Sequence, residues 1–262
     1  MKQLTKYLPI ANATALILTI GINYFSNAGE LNGNTMKVIS DRYASYFTPA
    51  GFAFSIWGLI YLGLLGFVCY SIINRKEAKI IAIVSKISWW FVLSCLANSF
   101  WVIAWLNDYL GLSVVIMVIL LISLLAIITG TRMELDAHPL KEYLLIYWPF
   151  AIYAGWVTVA LIANVSAYLT KIGWDGWGIR EDYWAVAMIG VAGLVNVVMV
   201  LTRNLREFAT VGIWALFAIS VANQHQPDQK LIVYACYIVM LILLVFIIRN
   251  GLKNRDRSVH NM

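Results

Sequence analysis

The sequence predicts an all-α membrane protein, a polytopic bundle of eight helical spans. Of its 262 residues, 61% are apolar and only 12% charged, with mean hydropathy +0.78, whereas a soluble domain averages about 25% charged residues. Apolar runs of membrane-crossing length recur along the whole chain. The short alternating segments of a membrane β-barrel are absent.

The predicted spans are residues 7–26, 52–73, 84–105, 110–129, 144–168, 184–202, 208–222 and 231–249. The first resembles a signal peptide, with Lys2 and Lys6 ahead of an apolar stretch and Ser26-Asn27-Ala28 behind it. Its apolar stretch is longer than a signal core and holds Pro9 and Asn12, so the expectation is a retained span. The seventh, FATVGIWALFAISVA, reaches only about 22 Å at 1.5 Å per residue, short of a hydrocarbon core about 30 Å thick. Length alone leaves a re-entrant segment open. Charge decides for a crossing. With the amino terminus inside, the inner segments carry 14 Lys and Arg and the outer segments 5, the asymmetry of a cell-membrane protein with both termini cytoplasmic. A re-entrant seventh segment would put the basic tail, 251–262, on the wrong side.

The same distribution excludes other functions. The net charge of +6 lies mostly in loops and tails, where topology accounts for it, and no nucleic-acid partner is expected. Cys69, Cys95 and Cys236 lie far apart inside apolar spans and read as packing residues rather than a disulfide or metal set. His138, His225 and His260 fall in loops or the tail, which leaves a haem or metal in the spans without imidazole ligands. No metal site and no prosthetic cofactor are expected. Asp108, Glu134, Asp136, Glu142, Glu181 and Asp182 are read as loop residues, so the spans lack the buried charge that an ion-coupled pump needs. No nucleophile–base pair occurs within a span, and no catalytic residue is assigned.

What the spans do hold is sparse amides among aromatics. Asn98, Asn164 and Asn196 each require partners, supplied either by neighbouring helices or by the polar edge of a ligand in a cavity. Trp101 follows Asn98 by three; Trp156, Ala160 and Asn164 step by four, as do Trp57 and Tyr61. Each set shares a helix face. The stretch FTPAGFAFSIWGLIY, residues 47–61, adds Phe52 and Phe54 at the mouth of the second span. Such stripes are either helix packing or the wall of a pocket. Two loops stand out as well. Residues 27–47 are long enough to act as a lid over the outer mouth. Residues 170–183 set Trp174 and Trp177 among charges, in the manner of an interfacial belt. Gly63, Gly66, Gly190 and Gly193 would permit close helix approach.

Three of these stretches, TPAGFAFSIWGLIY, Asn98-x-x-Trp101 and WPFAIYAGWVTVALIAN, resemble in order the signatures of the tryptophan-rich sensory protein (translocator protein, TspO/MBR) family. In that family the second helix opens with Pro-Pro-x-Trp-x-Phe-Gly-x-x-Trp, the third carries Asn-x-x-Trp, and the fifth Pro-Tyr-x-x-Trp ending in Leu-Asn. Here Ala50 replaces the second proline, Phe52 replaces the first tryptophan, and Pro149 precedes Trp156 by seven with Tyr153 between. The resemblance implies a TspO-like five-helix bundle over 1–171, followed by an additional three-helix region, 172–250. It further implies a site for a porphyrin, sterol or similar flat hydrophobic molecule, bound as ligand for sensing or handling. That site would be formed by Phe52, Phe54, Trp57, Tyr61, Asn98, Trp101, Tyr153, Trp156, Ala160 and Asn164. By resemblance alone, a slow porphyrin-degrading activity is conceivable; a multi-pass transporter or a partner-binding membrane protein is the alternative. Membrane lipids and a homo-oligomer complete the expected partners. Val165-x-x-Tyr168-x-x-Lys171 also fits a short sterol-contact pattern, or equally an interfacial anchor.

Overall fold

A computed structural model describes residues 7–29, 31, 33–224 and 229–259, with side chains as far as Lys253. Lys2, Lys6, His225, His260 and the end of the basic tail lie outside the described residues. Helix α1 spans Leu8–Asn27, α2 is the short Met36–Arg42, and a 3-10 turn at Gly51–Ser55 leads into α3, Ile56–Ile73. Then come α4 (Ala78–Ile87), α5 (Trp90–Leu106), α6 (Leu110–Gly130) and α7 (Leu140–Lys171). The chain closes with α8 (Glu181–Arg203), α9 (Arg206–Asn223) and α10 (Lys230–Val259).

Six of these helices are long and apolar enough to cross a membrane, seven if the bent pair α4 and α5 counts as one span. The chain is a polytopic helical membrane bundle. The third predicted span departs from expectation. It is broken at Ser88, whose φ of 53° is left-handed, and the two halves meet at 46°. The first half turns Ile80, Ile83, Val84 and Ile87 inward and carries Lys79 and Lys86, the pattern of a half-buried helix rather than a lipid-facing one. Helix ends also overrun the predicted boundaries. Glu142, Glu181 and Asp182, read as loop residues, therefore sit in the first turns of α7 and α8.

The doubtful seventh span is α9, and it traverses the bundle. At 18 residues it is roughly 27 Å long. Asn223 at its end donates to the carbonyl of Tyr46, 3.1 Å away, while at its start the α8–α9 turn meets the opposite end of the molecule, where Asn204 donates to the Glu134 carbonyl at 3.2 Å. It packs against α7, α8 and α10, so Phe208, Ala209, Val211, Ala215, Leu216 and Ile219 are buried in protein. It is not among the helices counted above: its hydropathy is lowered by its ends, Arg206, Glu207 and Asn223, while the stretch between them is apolar.

Small residues set the closest approaches. A Cβ on Gly155 of α7 would lie 2.8 Å from the Phe208 carbonyl oxygen of α9, and one on Gly212 would meet the Asn196 amide at 2.6 Å. Gly63 seats the ring of Pro149, Gly66 seats Leu145, and Gly193 seats Val239, whereas Gly190 faces open space. Pro149 lacks an N–H, and the π turn at Tyr143–Tyr147 just before it absorbs the resulting change of helical register.

Polar contacts tie the loops together at the end away from α2. Glu142 is buried against Lys79 (2.5 Å) and His138 Nδ1 (3.1 Å), and Asn250 Nδ2 donates to Asn204 Oδ1 at 3.0 Å. In the α6–α7 loop, burial pushes the Glu134 carboxyl up to about 7, with the nearby Glu207 carboxylate adding to the effect. The Trp148 indole hydrogen bond and Arg206 oppose it.

Candidate ligand cavity

Trp57, the second residue of α3, is the hub of the site. Its ring stacks on Tyr61 (centroids 5.6 Å apart) and lies 6.1 Å from Trp101, 5.7 Å from Tyr153 and 6.4 Å from Trp156. Phe54 meets Trp156 edge-on at 6.2 Å. Rings at these spacings gain quadrupole attraction beyond plain burial. Three helices, α3, α5 and α7, thus bring their aromatic signatures to one place.

Two layers result. In the upper one, Phe54, Trp57, Trp101, Trp156, Ala160 and Asn164 line a single cavity of about 40 Å³ under α2. Asn164 is satisfied by protein: Trp101 Nε1 donates to its Oδ1 at 2.8 Å, and its Nδ2 donates to Ser113 Oγ at 2.8 Å. In the lower layer, Asn98 Nδ2 donates to Tyr153 Oη at 3.0 Å, while its Oδ1 accepts from Asn23 of α1 at 2.8 Å and from Tyr61 at 3.5 Å. Asn98, Tyr61 and Tyr153 are therefore not among the residues lining the cavity; they form an interhelical network beneath it. Asn196 bonds within its own helix, to the Ala192 carbonyl at 2.8 Å, and faces Gly212.

Phe52 requires correction as a wall residue. It turns away from the cavity to pack on α9, 5.4 Å from Trp214 and 6.1 Å from Phe217, and remains 41% exposed. The cause is local. Residues two positions apart in any helical turn lie on roughly opposite sides, so Phe52 and Phe54 of Gly51–Ser55 point in different directions. This mouth is also where α9 grips the rest of the bundle. Ala50 N–H donates to the Ala218 carbonyl at 3.0 Å and Trp214 Nε1 to the Ala53 carbonyl at 3.3 Å.

Met36, Ser40, Thr48, Pro49, Trp105, Val159, Ala163 and Ala167 complete the lining. Ala163 and Ala167 continue the small-residue face of Ala160 at helical spacing, and Trp105 follows Trp101 by four, so periodicity alone could have added them. Met36 and Ser40 belong to the long loop, which folds α2 across the cavity. Thr35 caps that helix by accepting from Val38 N–H, and Trp105 Nε1 donates to the Met36 carbonyl at 3.3 Å. The loop is held at its far end by Asp108, which accepts from Tyr43 Oη at 2.9 Å and pairs with Lys171 at 3.2 Å and Arg42 at 3.9 Å. Lys171 is thus taken up by Asp108, and Tyr168 packs on Gly111. The short sterol pattern on α7 therefore has its aromatic and basic members turned into protein contacts.

One polar group in the cavity wall stands without a partner. The Trp156 indole N–H is buried and has no acceptor among the described residues. A buried donor left unmet costs about 1–3 kcal/mol, and such a cost at a cavity wall is what a ligand acceptor would relieve.

The family model for TSPO-like proteins matches residues 9–249. The chain belongs to the TSPO-like protein family. That match runs through α8, α9 and most of α10 as well as the first five spans. No curated protein and no solved structure matches the chain.

Proposed function

We propose that this TSPO-like membrane protein binds a flat hydrophobic molecule, of the porphyrin or sterol-like class, in the aromatic cavity under α2, for sensing or handling rather than for chemistry. The observation that carries the reading is the unmet Trp156 indole donor in a wall made mostly of rings and small residues. Ligand sites typically combine an apolar, aromatic lining with a few polar groups. At about 40 Å³ the space suits a water molecule or two rather than a macrocycle. Binding thus requires α2 to lift, and the Trp57 and Trp156 rings to part.

Quenching of tryptophan emission by protoporphyrin IX, set against a sterol and a carotenoid fragment, tests the reading in the purified protein. Saturable quenching by one class supports it, and linear quenching by all of them removes it. The lid has its own test. Asp108 has a φ of 66°, which asparagine tolerates, so Asp108→Asn removes the charge without straining the turn. Loss of the pairs to Lys171 and Arg42 should speed porphyrin release by about three- to tenfold, the scale of one or two partly exposed ion pairs. Unchanged release would leave the loop as a connection only.

The side of the bundle bearing α2 is assigned to the exterior of the cell membrane, with both termini cytoplasmic, from the 14-to-5 distribution of basic residues. Reporters fused after Asn204 and after Gln224 should then report opposite sides, inside and outside respectively. The same side for both would exclude a crossing by α9.

A further inference from the structure

A second and much larger recess, about 890 Å³, lies at the α2 end of the bundle between α7, α8 and residues 44–47. It is not the cavity described above. Its α7 wall is Leu161, Val165 and Leu169 with Ile162, Ser166 and Thr170 beside them; the first three form a stripe at steps of four displaced about 100° around the helix from the Trp156–Ala160–Asn164 face. Its other wall belongs to α8, one of the helices beyond the five-span core. These aliphatic side chains are only half-buried, so the recess is open along its length. Its largely aliphatic floor offers little to water and much to hydrocarbon. At membrane depth, what can fill it is hydrocarbon.

The mouth of the recess has a different chemistry. Trp174, Trp177 and Trp184 form a triad with ring centroids 5.1–5.8 Å apart, and all three line the space. Trp177 is held at a left-handed φ of 54° with 76% of its surface exposed, an unfavourable backbone for a bulky residue. Asp175 and Glu181 are the charged lining residues; no lysine or arginine lines the recess. The cations that adjoin its lining in sequence are paired, Arg180 with Asp182 through two bonds of 3.0 and 2.6 Å and Lys171 with Asp108. Exposed indole faces beside carboxylates attract ammonium groups, primary or quaternary, and repel anionic head groups.

From this charge complementarity we propose that the recess is a site for a zwitterionic phospholipid of the adjoining leaflet. One acyl chain lies along the Leu161–Val165–Leu169 stripe, and the head-group ammonium sits on the tryptophan triad beside Glu181 and Asp175. Because the lining requires α8 and a different face of α7, the site is independent of the porphyrin reading.

Native mass spectrometry of the full-length protein, offered equal amounts of phosphatidylcholine, phosphatidylethanolamine and phosphatidylglycerol, tests the proposal. One zwitterionic lipid should survive detergent stripping, at about tenfold higher occupancy than phosphatidylglycerol. Choline against ethanolamine then distinguishes a quaternary from a primary ammonium. Trp177→Ala and Glu181→Gln, both at the exposed mouth, should each lower that occupancy severalfold, and Glu181→Lys should shift the preference toward phosphatidylglycerol. Val165→Trp should displace the chain, while Ala160→Phe, in the other cavity, should leave lipid retention unchanged. Equal retention of all three lipids, or retention indifferent to the mouth variants, would mean an annular shell only and overturn the proposal. So would preferential retention of phosphatidylglycerol by the native protein.

Discussion

In the Ala160→Phe variant, titration with protoporphyrin IX is expected to leave tryptophan emission unsaturated across the range that saturates the native protein. The reason is volume. Ala160 lines a cavity of about 40 Å³ between the Trp57, Trp101 and Trp156 rings, and a phenyl group has no vacant space there for a ligand to share. The side chain is half-buried on a long helix, so its extra ring can be accommodated with α7 intact. A companion variant separates space from polarity. Trp156→Phe keeps an aromatic face and removes the unmet indole N–H; it should weaken binding by about 1–3 kcal/mol if that donor meets the ligand. It should strengthen binding, or leave it unchanged, if the indole is packing alone. If Ala160→Phe binds porphyrin as the native protein does, the ligand lies elsewhere and the proposed site is wrong.

The second large effect concerns the packing of α7 against α9. Gly155→Ala places a methyl group 2.8 Å from the Phe208 carbonyl oxygen and 3.2 Å from both its Cα and Val211 Cβ. The first two are backbone atoms of a buried helix, which no rotamer change can move aside. Helix α9 must shift, and overpacking of this kind costs about 1–3 kcal/mol. The shift should also loosen the Trp214–Ala53 and Ala50–Ala218 hydrogen bonds at the mouth of α3. Denaturant unfolding in detergent should therefore show a lowered midpoint for Gly155→Ala. Gly190→Ala serves as the comparison. Its Cβ meets nothing within 4 Å, and replacing a mid-helix glycine by alanine stabilises by roughly 0.5–1 kcal/mol. Equal midpoints for the two variants would contradict the seam between α7 and α9.

Much of this architecture was legible in the sequence because it is local. A membrane helix declares itself by a run of about 20 apolar residues, and the runs lie where the helices lie. The Trp156–Ala160–Asn164 stripe depends only on the helical repeat within α7, and so it too could be read without a structure. The family signatures then predicted that α3, α5 and α7 would share a site. For Phe54, Trp57, Trp101, Trp156, Ala160 and Asn164, one cavity contains them all.

What the tertiary structure decided are the properties that depend on how helices rotate and approach one another. Asn98 shares a face with Trp101, yet its amide is spent on Asn23, Tyr61 and Tyr153, and nothing in α5 names a partner on α1. Phe52 sits in the same aromatic run as Trp57, but it packs on Trp214 and Phe217 of α9, far along the chain. The length of the 27–47 loop suggests a lid, while its latch on Asp108 joins residues 65 positions apart. The charge distribution favours a crossing by α9, but that it crosses buried among α7, α8 and α10 follows only from the helices around it. Hydropathy records how much of a helix must be apolar. It does not record whether that surface meets lipid, another helix or an empty cavity, because those three environments demand the same side chains and differ only in what stands opposite.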